Sequence, residues 1–134
     1  SPFVMEGYKA AAHSFCIKNI IPNVSAVLFK VDSLRAVLNQ YIERILSYRV
    51  AGDWMVYVLL LKQGSIAFTP IPANSHRSHQ NSVTLSSFNE TQLQEICSMQ
   101  AFVANEFPIS AEQTVAALYY VEKLAEQFGL GSIV

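Results

Sequence analysis

Trp54-Met55-Val56-Tyr57-Val58-Leu59-Leu60-Leu61, followed by Lys62-Gln63-Gly64, is the stretch on which the reading of the fold turns. An extended chain sends alternate side chains to opposite faces. Trp54, Val56, Val58 and Leu60 would then share one face and Met55, Tyr57, Leu59 and Leu61 the other. Both faces are apolar, which predicts a strand covered on two sides or lying at an interface. Gln63-Gly64 reads as a two-residue turn, and Ile66 and Phe68 then alternate with Ala67 and Thr69. The expectation is a β-hairpin pairing Trp54–Lys62 with Ile66–Pro70. Pro70 and Pro72 have no N–H for a ladder, so the second strand ends there or is an edge. The apolar run is also far shorter than the roughly 20 residues of a membrane-spanning helix, so no span is expected.

Downstream, residues 73–82 are polar throughout and read as an exposed loop, and Val83-Thr84-Leu85 as a short third strand. Two helices follow. Ser87-Phe88-Asn89-Glu90 has the spacing of a capping box, and Leu93, Ile96, Cys97, Gln100, Ala101 and Ala104 continue one helical face until Phe107-Pro108. Ser110-Ala111-Glu112-Gln113 repeats the box ahead of Val115, Leu118, Val121, Leu124 and Phe128, with Gly129 as the stop.

Upstream, Val24, Val27, Val31, Leu34, Leu38, Tyr41, Ile45 and Tyr48 recur at alternating steps of three and four. That is a heptad seam, and a long helix carrying it is expected, with a break near Asp32-Ser33 and a stop at Gly52. Residues 31 to 48 of this seam (Val31, Leu34, Leu38, Tyr41, Ile45 and Tyr48) are the candidates for an oligomer interface. Met5–Asn19 reads as a short helix, and residues 1–4 as an added remnant ahead of a single domain spanning residues 5–134. The fold class that results is α+β, with helices packed on one face of a small antiparallel sheet in the order α-α-β-β-(β)-α-α.

The chain has 134 residues, 51% of them apolar and only 14% charged, which excludes a disordered chain and leaves few groups to coat a monomer. A net charge of −1 gives no overall footprint for nucleic acid or an anionic membrane, and neither is expected as a partner. The charge is nevertheless divided. Residues 1–77 carry eight basic and four acidic side chains, whereas residues 78–134 carry one basic and six acidic. The two halves could attract within a subunit, between subunits or towards a basic partner, and attraction within the subunit is the simplest.

Chemistry-bearing motifs are sparse. The five glycines are scattered and form no phosphate loop, and there is no CxxC pair, HExxH helix or GxSxG elbow. Glu90, Glu95, Glu106, Glu112, Glu122 and Glu126 fall where solvation or a helix N-terminus accounts for them. His76, Arg77 and His79 lie within four residues and could contact an anion or a partner, although their polar neighbours describe a loop. A structural zinc would want four ligands, and no matching pair exists, so neither metal nor other cofactor is expected. His13 and Cys16 could face each other on the first helix as base and thiol, but Cys16 and Cys97 read first as buried free thiols. Trp54 is a core or interface anchor, with ligand stacking as its alternative.

These readings favour a small cytoplasmic, non-enzymatic protein-binding or adaptor module that acts as a homo-oligomer, most simply a twofold dimer, and engages another protein. The alternatives are a small-ligand domain with an apolar pocket between helices and sheet, and an enzyme using His13, Cys16 or the His76–His79 loop.

Overall fold

The structure, a computed structural model, describes residues 3–69 and 88–130. It is an α+β fold in which five helices among the described residues pack with a two-stranded antiparallel sheet. Strand β1 (Phe3–Glu6) leads into helix α1 (Gly7–Ala10), which continues as a π-turn over Ala11–Phe15. A short 3-10 turn at Val24–Ala26 precedes α2 (Val31–Leu46). Next come α3 (Gly52–Leu61), β2 (Ser65–Phe68), α4 (Glu90–Glu106) and α5 (Ala111–Gln127).

The apolar run is the main correction: Trp54–Leu61 is helix, not strand. Trp54 through Leu59 and Leu61 are all buried, so α3 is apolar around its whole circumference and sits at the centre of the core. A segment apolar on every side carries no period, and alternation within it is indistinguishable from helical burial. Tertiary context decides. A central strand would need long neighbours on both edges, whereas the described strands have four residues each. A helix satisfies its own backbone and can be ringed by α1, α2 and α4 instead.

The turn leading into the N-terminus of α3 is held from elsewhere in the chain. Its cap residue, Ala51, has no side chain to offer. Glu95 of α4 supplies the acceptor: Arg49 N–H donates to Oε2 at 2.7 Å, and Val50 and Ala51 N–H donate to Oε1 at 3.0 and 3.1 Å. A carboxylate at a helix N-terminus is also favoured by the helix dipole. Glu95 is therefore a tertiary clasp and not the solvated side chain expected from its place in the sequence.

Gln63-Gly64 joins a helix to a strand, not two strands. β2 does form around Ile66 and Phe68, but its partner is β1, with Phe3 opposite Phe68 and Met5 opposite Ile66. Phe3 and Phe68 stack at 5.0 Å, while Met5 and Ile66 turn towards the core. Phe3 and Val4, expected to lie outside the domain, are thus part of its sheet. A two-stranded ribbon is marginal alone, and Gly7 fastens this one. Its N–H donates to Gly64 O at 2.9 Å. A Cβ at Gly7 would land on the carbonyl oxygens of Leu61 and Gly64.

The heptad seam divides into the 3-10 turn and α2, which is kinked where Tyr41 leaves helical geometry (φ −123°, ψ 16°). Gly52 opens α3 instead of closing the preceding helix, and α2 ends at Leu46. The α4–α5 hairpin follows the expected punctuation closely. Asn89 and Gln92 form the capping box, two residues after the expected cap. Ser110 caps α5, accepting from Gln113 N–H at 3.1 Å. At the end of α5, Gly129 adopts φ 67°, and Leu130 N–H donates to Ala125 O at 2.8 Å, the signature of a Schellman stop. The proposed third strand at Val83–Leu85 lies outside the described residues.

Candidate functional site

The π-turn Ala11–Phe15 widens the backbone, and side chains from three different helices take up the carbonyls in and just after it. Trp54 of α3 donates its indole N–H to Phe15 O at 3.1 Å. Gln113 of α5 donates to His13 O at 3.2 Å. Gln100 of α4 donates from one amide nitrogen to Ile17 O at 2.8 Å and to Ala117 O at 3.1 Å. The first segment of the chain is thereby strapped to α3, α4 and α5.

Beside these straps, α4, α5, their connection and Cys16, just after the π-turn, line an open groove of about 240 Å³. Ala101, Ala104 and Ala117 keep its walls low, Leu118 and Ile109 supply apolar bulk, and Cys16 and Cys97 both line it. Its polar donors are already engaged. The Gln100 and Gln113 amides hold backbone carbonyls, and the Thr114 hydroxyl donates to Ser110 O at 3.0 Å. What the groove presents is apolar surface.

The cysteines are not set up as nucleophiles. Cys16 donates its thiol to Ala12 O at 3.3 Å, and burial pushes its ionisation up. Burial does the same to Cys97. The thiolate is the reactive form, so both sulfurs are held in the less reactive state. His13 is exposed and its Nδ1 pairs with Ser14 Oγ at 3.1 Å, so the structure shows no His13–Cys16 hydrogen bond.

Trp54 is a core anchor: it is 3% exposed and has no face for a ligand to stack on. Val31 is exposed, Leu34, Leu38, Tyr41 and Tyr48 are partly buried against the core, and Ile45 is buried. Most of the expected interface seam is therefore used inside the chain, where α2 packs on α3. His76, Arg77 and His79 lie outside the described residues.

Reading 54–61 as a strand also hid a polar pair. Asp53 and Tyr57 are one helical turn apart on α3. Asp53 is partly buried and accepts from Trp54 N–H at 2.8 Å and from Asn19 Nδ2 at 3.5 Å, and desolvation pushes its carboxyl up against these hydrogen bonds. The Tyr57 ring lies against Phe15 and Phe29. Its hydroxyl is buried without a partner among the described residues, and burial together with the charge of Asp53 pushes it up to about 12.

The division of charge is partly resolved within the chain. Lys62 pairs with Glu106, the Arg44 guanidinium lies 4.6 Å from the Phe102 ring centre, and Lys18 faces Tyr120. Compared with protein-family models, with curated proteins and with solved structures, the chain matches none. Among the described residues no helix is long and apolar enough to cross a membrane.

Proposed function

We infer that the protein is a small, non-enzymatic, cytoplasmic binding module that acts as a homo-oligomer and presents apolar helical surface to its own copies or to a protein partner. The observation that carries this reading is the amount of large apolar surface left outside. Val31 is 61% exposed, Leu46 73%, Val115 66% and Tyr119 59%, on a chain with few charges. Two helices carry these residues, α2 and α5, and the α5 patch adjoins the groove. Large apolar side chains left exposed one helical turn apart, as Val115 and Tyr119 are on α5, are the kind of surface that marks interaction sites.

The small-ligand alternative has less support. Pockets for drug-sized molecules usually occupy about 300–1,000 Å³ and offer a few free polar groups. The groove is smaller and its amides are already bonded. An enzyme working through Cys16 would need an activated thiol, and burial pushes both thiols the wrong way.

Light scattering over a dilution series tests the assembly reading. The expected result is a mass of two or more chains that falls on dilution. A monomer mass persisting at tens of micromolar would overturn it.

A further inference from the structure

We propose that the α4–α5 hairpin is a detachable unit, latched to the two ends of α3 by a pair of carboxylates on α4 and released as one piece when the latches let go. The inference stands apart from the assembly reading.

Glu95 accepts the N–H groups of Arg49, Val50 and Ala51, immediately ahead of α3. Glu106 pairs with Lys62, the residue that closes α3. The two acids are eleven residues apart on α4, about three turns, which brings them back to one side of the helix. Eleven residues of α4 rise by about 16 Å, and the ten of α3 by about 15 Å. The two helices therefore run in the same direction, with one carboxylate at each end of α3. Ser98, one turn beyond Glu95, adds a hydroxyl contact to Tyr48 at 3.1 Å.

The hairpin has a core of its own. Leu93 and Cys97 of α4 pack with Val121, Leu124 and Ala125 of α5, and Phe88 stacks on Phe128 at 4.4 Å. Every side chain of this second cluster lies between residues 88 and 130. Contacts to the rest of the chain are of another kind. Met99, Val103 and Phe107 enter the main core, and beside them stand the two latches and the amide straps from Gln100 and Gln113. The straps are hydrogen bonds between neutral groups, whereas Glu95 and Glu106 carry charge, and charge-assisted contacts are roughly twice as strong. Units that open together commonly coincide with supersecondary motifs, and this hairpin can leave without losing its internal contacts. Opening uncovers Met99, Val103 and Phe107, so the latches govern how much apolar surface the chain shows.

Amide hydrogen exchange of the full chain, read residue by residue by NMR, tests this for the wild type, E95Q, E106Q and K62Q. In the wild type the amides of Met99, Val103, Val121 and Ala125 are expected to share one opening equilibrium, larger than that of Val58 and Leu59 in α3. E95Q should raise it about tenfold, since three donors lose a charged acceptor. E106Q should raise it about threefold, the ion pair being partly exposed. In each case the acceleration should extend over the whole of α4 and α5. K62Q breaks the second latch from the α3 side and should match E106Q.

Acceleration confined to the turn nearest each substitution would overturn the single unit in favour of local fraying. Wild-type amides of α3 and α4 sharing one opening equilibrium would overturn it as well, because the hairpin would then open only with the whole chain.

Discussion

Replacing Gly7 with alanine probes the joint that holds the ribbon to the core. The added methyl would overlap two carbonyl oxygens, those of Leu61 and Gly64, and neither belongs to a flexible side chain. The collision can be relieved only by moving the α3–β2 turn away from the start of α1, which lengthens or breaks the 2.9 Å hydrogen bond from Gly7 N–H to Gly64 O. Overpacking typically costs about 1–3 kcal/mol, and a lost backbone hydrogen bond adds about 1 kcal/mol. The expected destabilisation is therefore roughly 2–4 kcal/mol, a substantial part of the about 5–15 kcal/mol that holds a typical domain together. Two other glycines calibrate the result. At Gly64 a methyl group would meet nothing within 4 Å and φ is not positive, so Gly64→Ala is expected to be neutral or slightly stabilising. Gly129 also has open space but sits at φ 67°, so Gly129→Ala should cost roughly 1 kcal/mol from backbone strain alone. Urea melts followed by far-ultraviolet circular dichroism give the order directly. If Gly7→Ala fell within about 0.5 kcal/mol of Gly64→Ala, near the usual scatter of exposed substitutions, the close approach at Gly7 would be refuted.

Glu95→Ala should destabilise by about 1.5–3 kcal/mol or more, because three backbone donors lose a charged acceptor, and the loss should appear in urea melts. Tyr57 ties stability to alkaline pH. Its folded-state ionisation is raised to about 12 from an ordinary 10, so the unfolded chain releases the proton first and stability falls as pH climbs through that interval. At about 1.4 kcal/mol per unit, discounted for solvent screening, the fall is about 2 kcal/mol; comparing melts at neutral and strongly alkaline pH for the wild type and Tyr57→Phe should show that the variant lacks this increment. The same variant removes an unpartnered buried hydroxyl, so at neutral pH it should be at least as stable as the wild type. Leu59, 2% exposed at the centre of the core, should lose about 2–5 kcal/mol on truncation to Ala, whereas fully exposed Leu28 should lose less than about 0.5 kcal/mol; equal effects in urea melts would contradict the placement of α3.

Several parts of the architecture were legible because their signals are local. The α4–α5 hairpin is announced by Ser110, by Phe107-Pro108 and by Gly129, each acting through the backbone of its immediate neighbours. Only the cap of α4 slipped, from Ser87 to Asn89, because Ser87-Phe88-Asn89-Glu90 and Asn89 with Gln92 offer overlapping solutions. The short strand at Ile66 and Phe68 was readable from alternation, and the α+β class with it. The candidate site was less legible. Nothing in the spacing of Gln100 and Gln113 says that their amides strap the first segment of the chain, because His13, Ile17 and the helices they belong to meet only in the folded protein.

The sequence by itself determined the main stops and the α5 start in the C-terminal half, and the scarcity and division of charge. Tertiary structure decided the rest. Whether Trp54–Leu61 became strand or helix depended on what surrounded it, since a run apolar on every side carries no periodicity of its own. Once α3 was central, the inner seam of α2 had a partner within the chain, Glu95 had backbone donors to clasp, and β2 paired with β1. Which apolar side chains stayed outside was settled at the same stage, because burial is a property of the packed whole: Leu34 and Leu38 face α3, while Val31 and Leu46, on the same helix, face solvent.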